Sequence, residues 1–428
     1  MKKQLNIAIV GLGNIGSYLY NYLIKNKDEL FKKNNVVPNI LFVSAKNKLK
    51  KRGLSIPKSK WLNNYMDATK NKNIDVIVEL IGGSEGPAKK LVFNALRNKK
   101  HVVTANKALI SKHGDALAKI AESNKVNLEF EAAVCGGVPI IRSIKEGLIA
   151  NSINKVQGIF NGTSNFILTS MEEFNISFEE ALLKAQSMGF AESNPISDIN
   201  GDDVSSKLKI LSSLCFNTHI NSNIYVEGIK QIDNTDINNA NKLGYRIKLL
   251  GVAELFKGKI IQRVHPSLIK KNSYIAGING VLNAIIIDGS PVGQSIIQGE
   301  GAGPKPTTSA LVSDISSILR GNIKHPFSIS SSERKNKNFD SISNQFFSSY
   351  IRLDVSDKKG VLSNITKNFS DHSVSIKRLI QNPYRSKNNS SIIIITHKAK
   401  DINLMKCLKK LSNKNYLIKK PKLIRIEN

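Results

Sequence analysis

Hydrophobic positions in the first third of the chain fall into short apolar runs separated by stretches of helical spacing. LNIAIV, Leu5–Val10, is a compact run that reads as a strand, and Tyr18, Leu19, Tyr22 and Leu23 then recur at helical spacing. Lys2 and Lys3 precede that run in the manner of a secretory signal, but Asn6 interrupts it and a glycine turn follows it, so a folded strand is expected. NILFVSA, IDVIVELIG and HVVTANK read as further strands, with the helical PAKKLVFNALRN before the last, and NLEFEAAV reads as one more. Strands alternating with helices imply a parallel sheet covered on both faces.

From about Ile140 the pattern changes. Longer helical segments (SFEEALLKAQSMG, DDVSSKLKILSSLCF) mix with strand-like KVQGIFNGTS and NAIIIDGS, which predicts an α+β domain packed against the first. Residues 325–349 are rich in Ser, Asn and Lys with little periodicity and read as a linker. The tail alternates strand, helix, strand, strand, helix.

In DDVSSKLKILSSLCF, a projection at about 100° per residue puts Val204, Leu208, Leu211 and Cys215 on one face. Asp203 and Lys207 fall inside that apolar arc. Asp202, Ser205, Ser206, Lys209, Ser212 and Ser213 fall opposite, on the side expected to meet water. Burying an acid–base pair is costly unless both groups are paired and hydrogen-bonded, so an inward Asp203 and Lys207 point to chemistry rather than to surface decoration.

Gly11-Leu12-Gly13-Asn14-Ile15-Gly16 matches G-x-G-x-x-G between a strand and a helix, the context that a dinucleotide loop requires. The first glycine makes the turn, the second admits a pyrophosphate, the third lets helix and strand pack, and helix amides face the phosphates. After the second strand come Lys46, Lys48, Lys50, Lys51 and Arg52, with no acidic residue to hold a ribose 2′-hydroxyl. Basic groups there suit a 2′-phosphate, so NADP is expected ahead of NAD.

The length of 428 residues suggests two or three domains, and no apolar run reaches the ~18 residues of a membrane span. Cys135, Cys215 and Cys407 are scattered and odd in number, as expected of reduced thiols in a cytoplasmic protein. A formal charge of +30 raises the possibility of nucleic-acid binding. The lysines are spread along the chain, without aromatic interleaving or a dense basic helix, which argues against it; attraction of anionic substrates is the milder consequence.

Several segments together resemble one family. They are GLGNIG, VELIGG (Val78–Gly83), HVVTANKAL (His101–Leu109), EAAVCGGVPI (Glu131–Ile140), FNGTSNFIL (Phe160–Leu168), GFAESNPISDINGDD (Gly189–Asp203) and GEGAGPKPTTSA (Gly299–Ala310). The chain is similar to monofunctional homoserine dehydrogenases with a C-terminal ACT domain. The resemblance implies an α/β protein with a Rossmann-type dinucleotide-binding domain over 1–139 and an α+β catalytic and dimerisation domain over 140–324, whose final elements can return to the first. A linker over 325–349 and an ACT-like, ferredoxin-like domain over 350–428 complete the plan. It also implies a homodimer or higher oligomer.

The implied reaction is NAD(P)H-dependent reduction of L-aspartate 4-semialdehyde to L-homoserine, on the route to threonine, methionine and isoleucine. Lys207 falls on the family's proton-donating lysine, Asp203 on the carboxylate that works with it, and Lys107 on a second lysine near nicotinamide and substrate. Glu192 and Asp198 fall where the substrate binds. Asn194 stands where the family usually has a carboxylate, which removes one charge from that loop. Gly11, Gly13, Asn14, Ile15, Gly16, Lys46, Thr104, Lys107 and Gly303 are the implied cofactor contacts. Thr307, Thr308 and Ser309 are expected to cap the following helix. Glu131, Val134, Gly136 and Val138 match positions that bind a sodium ion, mostly through backbone carbonyls. In the tail, Lys358-Lys359-Gly360 and His372-Ser373 differ from the family's usual turns, and these turns form amino-acid effector sites, threonine being the implied effector. Two other readings stand beside this one: a different NADP-dependent dehydrogenase of an amino-acid semialdehyde or ketone, and a dinucleotide-sensing regulator without enzymatic activity.

Overall fold

The computed structural model describes residues 4–383 and 388–427. The N-terminal apolar runs form a parallel sheet in the order β2-β1-β3-β4-β5, from β1 (Gln4–Val10), β2 (Val37–Ser44), β3 (Val76–Glu79), β4 (His101–Thr104) and β5 (Leu128–Glu129). Ile7, Ile9, Val76, Val78 and Val103 pack one face against helix Asn14–Lys25. Leu311, Ile315 and Ile318, from the distant helix Pro304–Leu319, complete that core. Helix Pro304–Leu319 starts three residues before Thr307, with proline at its first turn. Thr307 and Thr308 are therefore buried inside the helix and do not cap it.

A second sheet of eleven strands among the described residues begins with β6 (Ser152–Ile159), β7 (Tyr225–Val226), β8 (Tyr245–Phe256), β9 (Lys259–Lys270), β10 (Leu282–Ser290) and β11 (Gly293–Glu300). It continues with β12 (Phe346–Ser356), β13 (Ile376–Pro383), β14 (Asn389–Thr396), β15 (Ala399–Lys400) and β16 (Lys422–Ile426). Its main path runs β11-β10-β6-β8-β9-β16-β12-β14-β13. The last strand, β16, runs parallel to β9 with Arg425 opposite Ser267 and joins the tail to the catalytic half. Buried charges close the seam. Arg263 Nε donates to Glu427 Oε1 at 2.6 Å, and Arg425 Nε donates to Asp401 Oδ1 at 2.8 Å.

The 325–349 stretch is packed rather than free. Phe327 is fully buried against Phe130, and Arg334 donates to Ser213 Oγ at 2.9 Å while also pairing with Asp115. Low hydrophobicity misleads here because a few anchors fix a polar segment.

Helix Asp202–Cys215 lies on the second sheet, where β8 Gly251 makes room: a Cβ there would be 2.9 Å from both Val204 and the Phe160 ring. Its apolar arc is buried as expected, with Asp203 and Lys207 in it. The expectation for the opposite face fails, because Ser205, Ser212 and Ser213 are buried too and Lys209 is half-buried. Helix Lys107–Ser123 and the Arg334 anchor cover that side. Among the described residues no helix is long and apolar enough to cross a membrane.

Candidate active site

Gly201 (φ 88°) ends the short helix Ile196–Asn200 in the left-handed conformation and opens helix Asp202–Cys215, placing Asp203 in the first turn and Lys207 one turn on. Lys207 Nζ lies 2.8 Å from Asp203 Oδ2 and donates to Phe160 O at 2.6 Å. Lys107, the first residue of helix Lys107–Ser123, reaches across so that its Nζ is 2.7 Å from Asp203 Oδ1. Asp203 thus holds one lysine on each oxygen. Its side chain is 4% exposed, Lys207's 10% and Lys107's 42%, so Lys107 approaches from the solvent side.

Burial opposes charge on all these groups, yet the pairing wins. Desolvation would raise the Asp203 carboxyl, but the two ammonium groups hold it well below the ordinary range. Desolvation would lower Lys207, but Asp203 holds it above the ordinary lysine value.

Asn161 is the residue that sequence reasoning missed. It caps helix Gly162–Phe174, accepting from Ser164 N at 2.7 Å, and its Nδ2 donates to Asp203 Oδ2 at 2.9 Å and Asp198 Oδ1 at 2.7 Å. Its signal was an asparagine before Gly-Thr-Ser, an N-cap pattern, though nothing in it announced the two carboxylates. Asp198 is raised by burial and by Asp203's charge, with Asn161 opposing.

A cleft of about 590 Å³ brings together Lys107, Lys207, Asp203, Asp198, Glu192 and Gly303. Gly162 and Thr163, at the start of a helix, also line it. Glu192 is exposed on the loop that carries Asn194.

A second cleft of about 260 Å³ is lined by Gly13, Asn14, Ile15 and Gly16 together with Glu79–Gly82, Ala105 and Asn106. Gly11 (φ 112°) and Gly16 admit no side chain, since a Cβ would be 2.4 Å from Leu80 O and 2.0 Å from Gly11 O respectively. At Gly13 a Cβ would meet nothing within 4 Å, which leaves the open cradle that a pyrophosphate needs.

Thr104 does not reach this cleft. It is fully buried, donates to Glu79 Oε2 at 2.6 Å, and accepts from Asn106 N at 3.0 Å. Glu79 in turn accepts from Ile81 N and Gly82 N, so Thr104 and Glu79 shape the wall while Ala105 and Asn106 form it. Lys46 is exposed beyond β2. Arg52 is engaged elsewhere: it donates to Leu12 O at 2.8 Å and Lys50 O at 2.7 Å, clamping the basic loop onto the glycine loop.

Glu131, Val134, Gly136 and Val138 are buried on one turn, with Cys135 at φ 52°. Glu131 caps the next helix, accepting from Ile141 N at 2.9 Å and Arg142 N at 2.7 Å, and burial pushes its carboxyl up to about 7. Among the described residues no group of three or more His, Cys, Asp or Glu side chains is placed to hold a metal ion.

A parallel nucleotide-binding sheet, a glycine cradle and a buried lysine–carboxylate pair in the adjoining cleft define an NAD(P)-dependent oxidoreductase. The comparisons with known proteins agree. The family profile described as homoserine dehydrogenase, NAD binding domain, matches residues 11–131, and that described as homoserine dehydrogenase matches 139–316. The Helicobacter pylori homoserine dehydrogenase is 38% identical over 430 residues, covering 100% of both chains. That of Neisseria gonorrhoeae is 36% identical over 434 residues, covering 100% of this chain and 99% of its own. The crystal structure of a homoserine dehydrogenase from Thiobacillus denitrificans superposes with a TM-score of 0.93 at 35% identity, covering 100% of this chain and 99% of that one. The chain belongs to the homoserine dehydrogenase family, and it is an oxidoreductase acting on a CH–OH group.

Proposed function

We propose that Lys207 is the proton donor when L-aspartate 4-semialdehyde is reduced to L-homoserine in the larger cleft. The observation that carries this reading is that two acceptors, Asp203 Oδ2 and Phe160 O, occupy two of the three ammonium donors, while the side chain lines the cleft. The third N–H has no acceptor among the described residues and can meet an aldehyde oxygen. Lys207 and Lys107, two ammonium groups on the one Asp203 carboxylate, supply positive charge where an alkoxide develops, with Asp198 held on the far side of Asn161. Bound NAD(P)H supplies the hydride. Lys207 holds the proton and delivers it to the oxygen, and Lys107, exposed and sharing Asp203, connects the pair with solvent. Asp198 and Glu192 suit the substrate's α-ammonium group. The amides of Gly162 and Thr163 at a helix N-terminus suit its α-carboxylate. Substituting Lys207 with Met tests this: turnover should fall while NADPH binding persists.

NADP is the proposed cofactor. The cradle at Gly13 fits a pyrophosphate, and Lys46 with Lys48 and Lys50 provides positive charge beyond β2 where no acid stands. Gly303 begins the helix at the cleft wall and suits a contact near the nicotinamide. A sodium ion at Glu131 and the carbonyls of Val134, Gly136 and Val138 is the proposed structural cation. The fit rests on Glu131, a buried carboxylate short of positive charge, whose role would be to hold the turn that Gly137 N ties to Glu300 O.

The tail is proposed to be an ACT-like domain. Its four principal strands follow strand-helix-strand-strand-helix-strand in sequence and lie in the order β16-β12-β14-β13, the antiparallel order of a ferredoxin-like sheet. Threonine is the proposed effector at the turns near Gly360 and His372-Ser373, and a homodimer or larger assembly the proposed state. The proposed setting is cytoplasmic biosynthesis of threonine, methionine and isoleucine, consistent with three buried, unpaired cysteines. The plan 1–139, 140–324, 325–349 and 350–428 is retained, with helix Pro304–Leu319 assigned to the first core and 325–349 as a packed connection.

A further inference from the structure

One polar side chain in the wall of the larger cleft is buried and half-satisfied. Asn283, on β10, is 1% exposed and lines the cleft between Val281 and the Glu300–Gly303 loop. Its Nδ2 donates to Cys135 Sγ at 3.1 Å, and its Oδ1 has no hydrogen-bond partner among the described residues. The orientation of the carboxamide follows from its neighbours. Cys135 gives its one proton to Phe160 O at 3.6 Å, so the sulfur is left to accept, and Asn283 must turn Nδ2 toward it. Phe160 O is also the acceptor for Lys207 Nζ, so a chain of hydrogen bonds runs from Asn283 through Cys135 and Phe160 to Lys207. Gly301 lies flat on the carboxamide, where a Cβ would come within 2.3 Å of Oδ1. The packing around Oδ1 is therefore close while its hydrogen-bonding capacity is unused. A buried acceptor left so is expensive, and a ligand donor is the simplest way to satisfy it.

We infer that, with the Gly301 backbone drawn back from it, Asn283 Oδ1 accepts a hydrogen bond from an N–H donor of a ligand bound in this cleft, either the carboxamide of nicotinamide or the ammonium of the amino-acid substrate. This rests on reading the cleft as the meeting place of cofactor and substrate. Gly301 is then required because any side chain there would displace the acceptor, and Cys135 is required as the group that aims it.

The test pairs truncation of the residue with truncation of the ligand. Dissociation constants of NADP and of its 3-acetylpyridine analogue, which lacks the carboxamide N–H, are measured by titration calorimetry for the wild type and Asn283→Ala. Asn283→Leu, which keeps the volume against Gly301, is the second variant should the alanine protein not fold. If the donor is the nicotinamide carboxamide, the wild type prefers NADP by about tenfold and both variants lose that preference. If it is the substrate ammonium, the preference is unchanged and the KM for homoserine rises about tenfold in the variants. A folded variant that keeps both values within about twofold of the wild type overturns the inference. Wild-type protein that oxidises homoserine with neither NADP nor NAD would instead overturn the reading of the cleft itself.

Discussion

Asp203 and Lys207 stand one turn apart on the same helix, turned into the protein, with Oδ2 and Nζ 2.8 Å apart. At a surface such a pair contributes ~0.2–0.5 kcal/mol. Buried, it holds Asp203 ionised and Lys207 protonated against the cost of desolvation.

On the proposed role, semialdehyde reduction needs Lys207 protonated, so activity should fall at high pH as Lys207 loses its proton. Burial lowers its affinity for that proton, but Asp203 outweighs burial, so the fall is expected above the ordinary lysine range. In Asp203→Asn the carboxylate is gone and burial remains, so the alkaline limb should move to lower pH. Stability follows the same linkage. Asp203's contribution is present above the unfolded carboxylate range and lost as pH falls through its depressed folded value. Lys207's is present below the unfolded lysine value and lost as pH rises through its raised one. Asp203→Asn should therefore lose stability across the neutral range, by about 3–5 kcal/mol, read from denaturant titration.

Glu131 behaves oppositely. Burial raises its carboxyl to about 7, so the folded state holds a proton that the unfolded state has released, and stability should decline as pH rises from about 4.3 toward 7. Sodium bound at this turn would favour the ionised carboxylate and flatten the decline. Melting temperatures in sodium chloride and in choline chloride at equal ionic strength, for the wild type and Glu131→Gln, check this. The wild type should differ between salts above pH 6, and the variant should not.

The glycines of the nucleotide loop separate by role. Gly13→Ala places a Cβ in open space and should leave the melting temperature unchanged while weakening NADPH about tenfold or more. Gly16→Ala places one 2.0 Å from Gly11 O and should destabilise the domain itself. Calorimetry with and without cofactor distinguishes the two.

Lys46→Glu should lower the ratio of kcat/KM for NADPH to that for NADH by about tenfold, the effect of replacing attraction for a 2′-phosphate with repulsion. Arg52→Ala should harm both cofactors alike, because Arg52 braces the loop through the Leu12 and Lys50 carbonyls.

What could be read from the sequence was whatever local spacing encodes. The glycine loop with its flanking strand and helix, and the inward phase of Asp203 and Lys207, are written within a few residues. Asn161 was not legible as a bridge, because its partners Asp198 and Asp203 come from elements some forty residues away. Thr104 is a cofactor contact only by the family resemblance, and no local spacing shows that Glu79 on the neighbouring strand captures its hydroxyl. Ser205, Ser212 and Ser213 looked solvated because polarity is a poor guide where another helix supplies cover and Arg334 donates to Ser213 Oγ. The KLIRI strand was overlooked, although its pairing with β9 and the Arg263–Glu427 contact join the tail to the catalytic sheet.

Single-turnover oxidation of NADPH by L-aspartate 4-semialdehyde, comparing the wild type with Lys207→Met, tests the central claim most directly. Asp203 keeps Lys107 and Asn161 in that variant, so the fold and NADPH affinity should survive. The account predicts a rate lower by at least about a hundredfold with the NADPH dissociation constant within about twofold of the wild type. A rate within about threefold of the wild type would show that the proton comes from elsewhere.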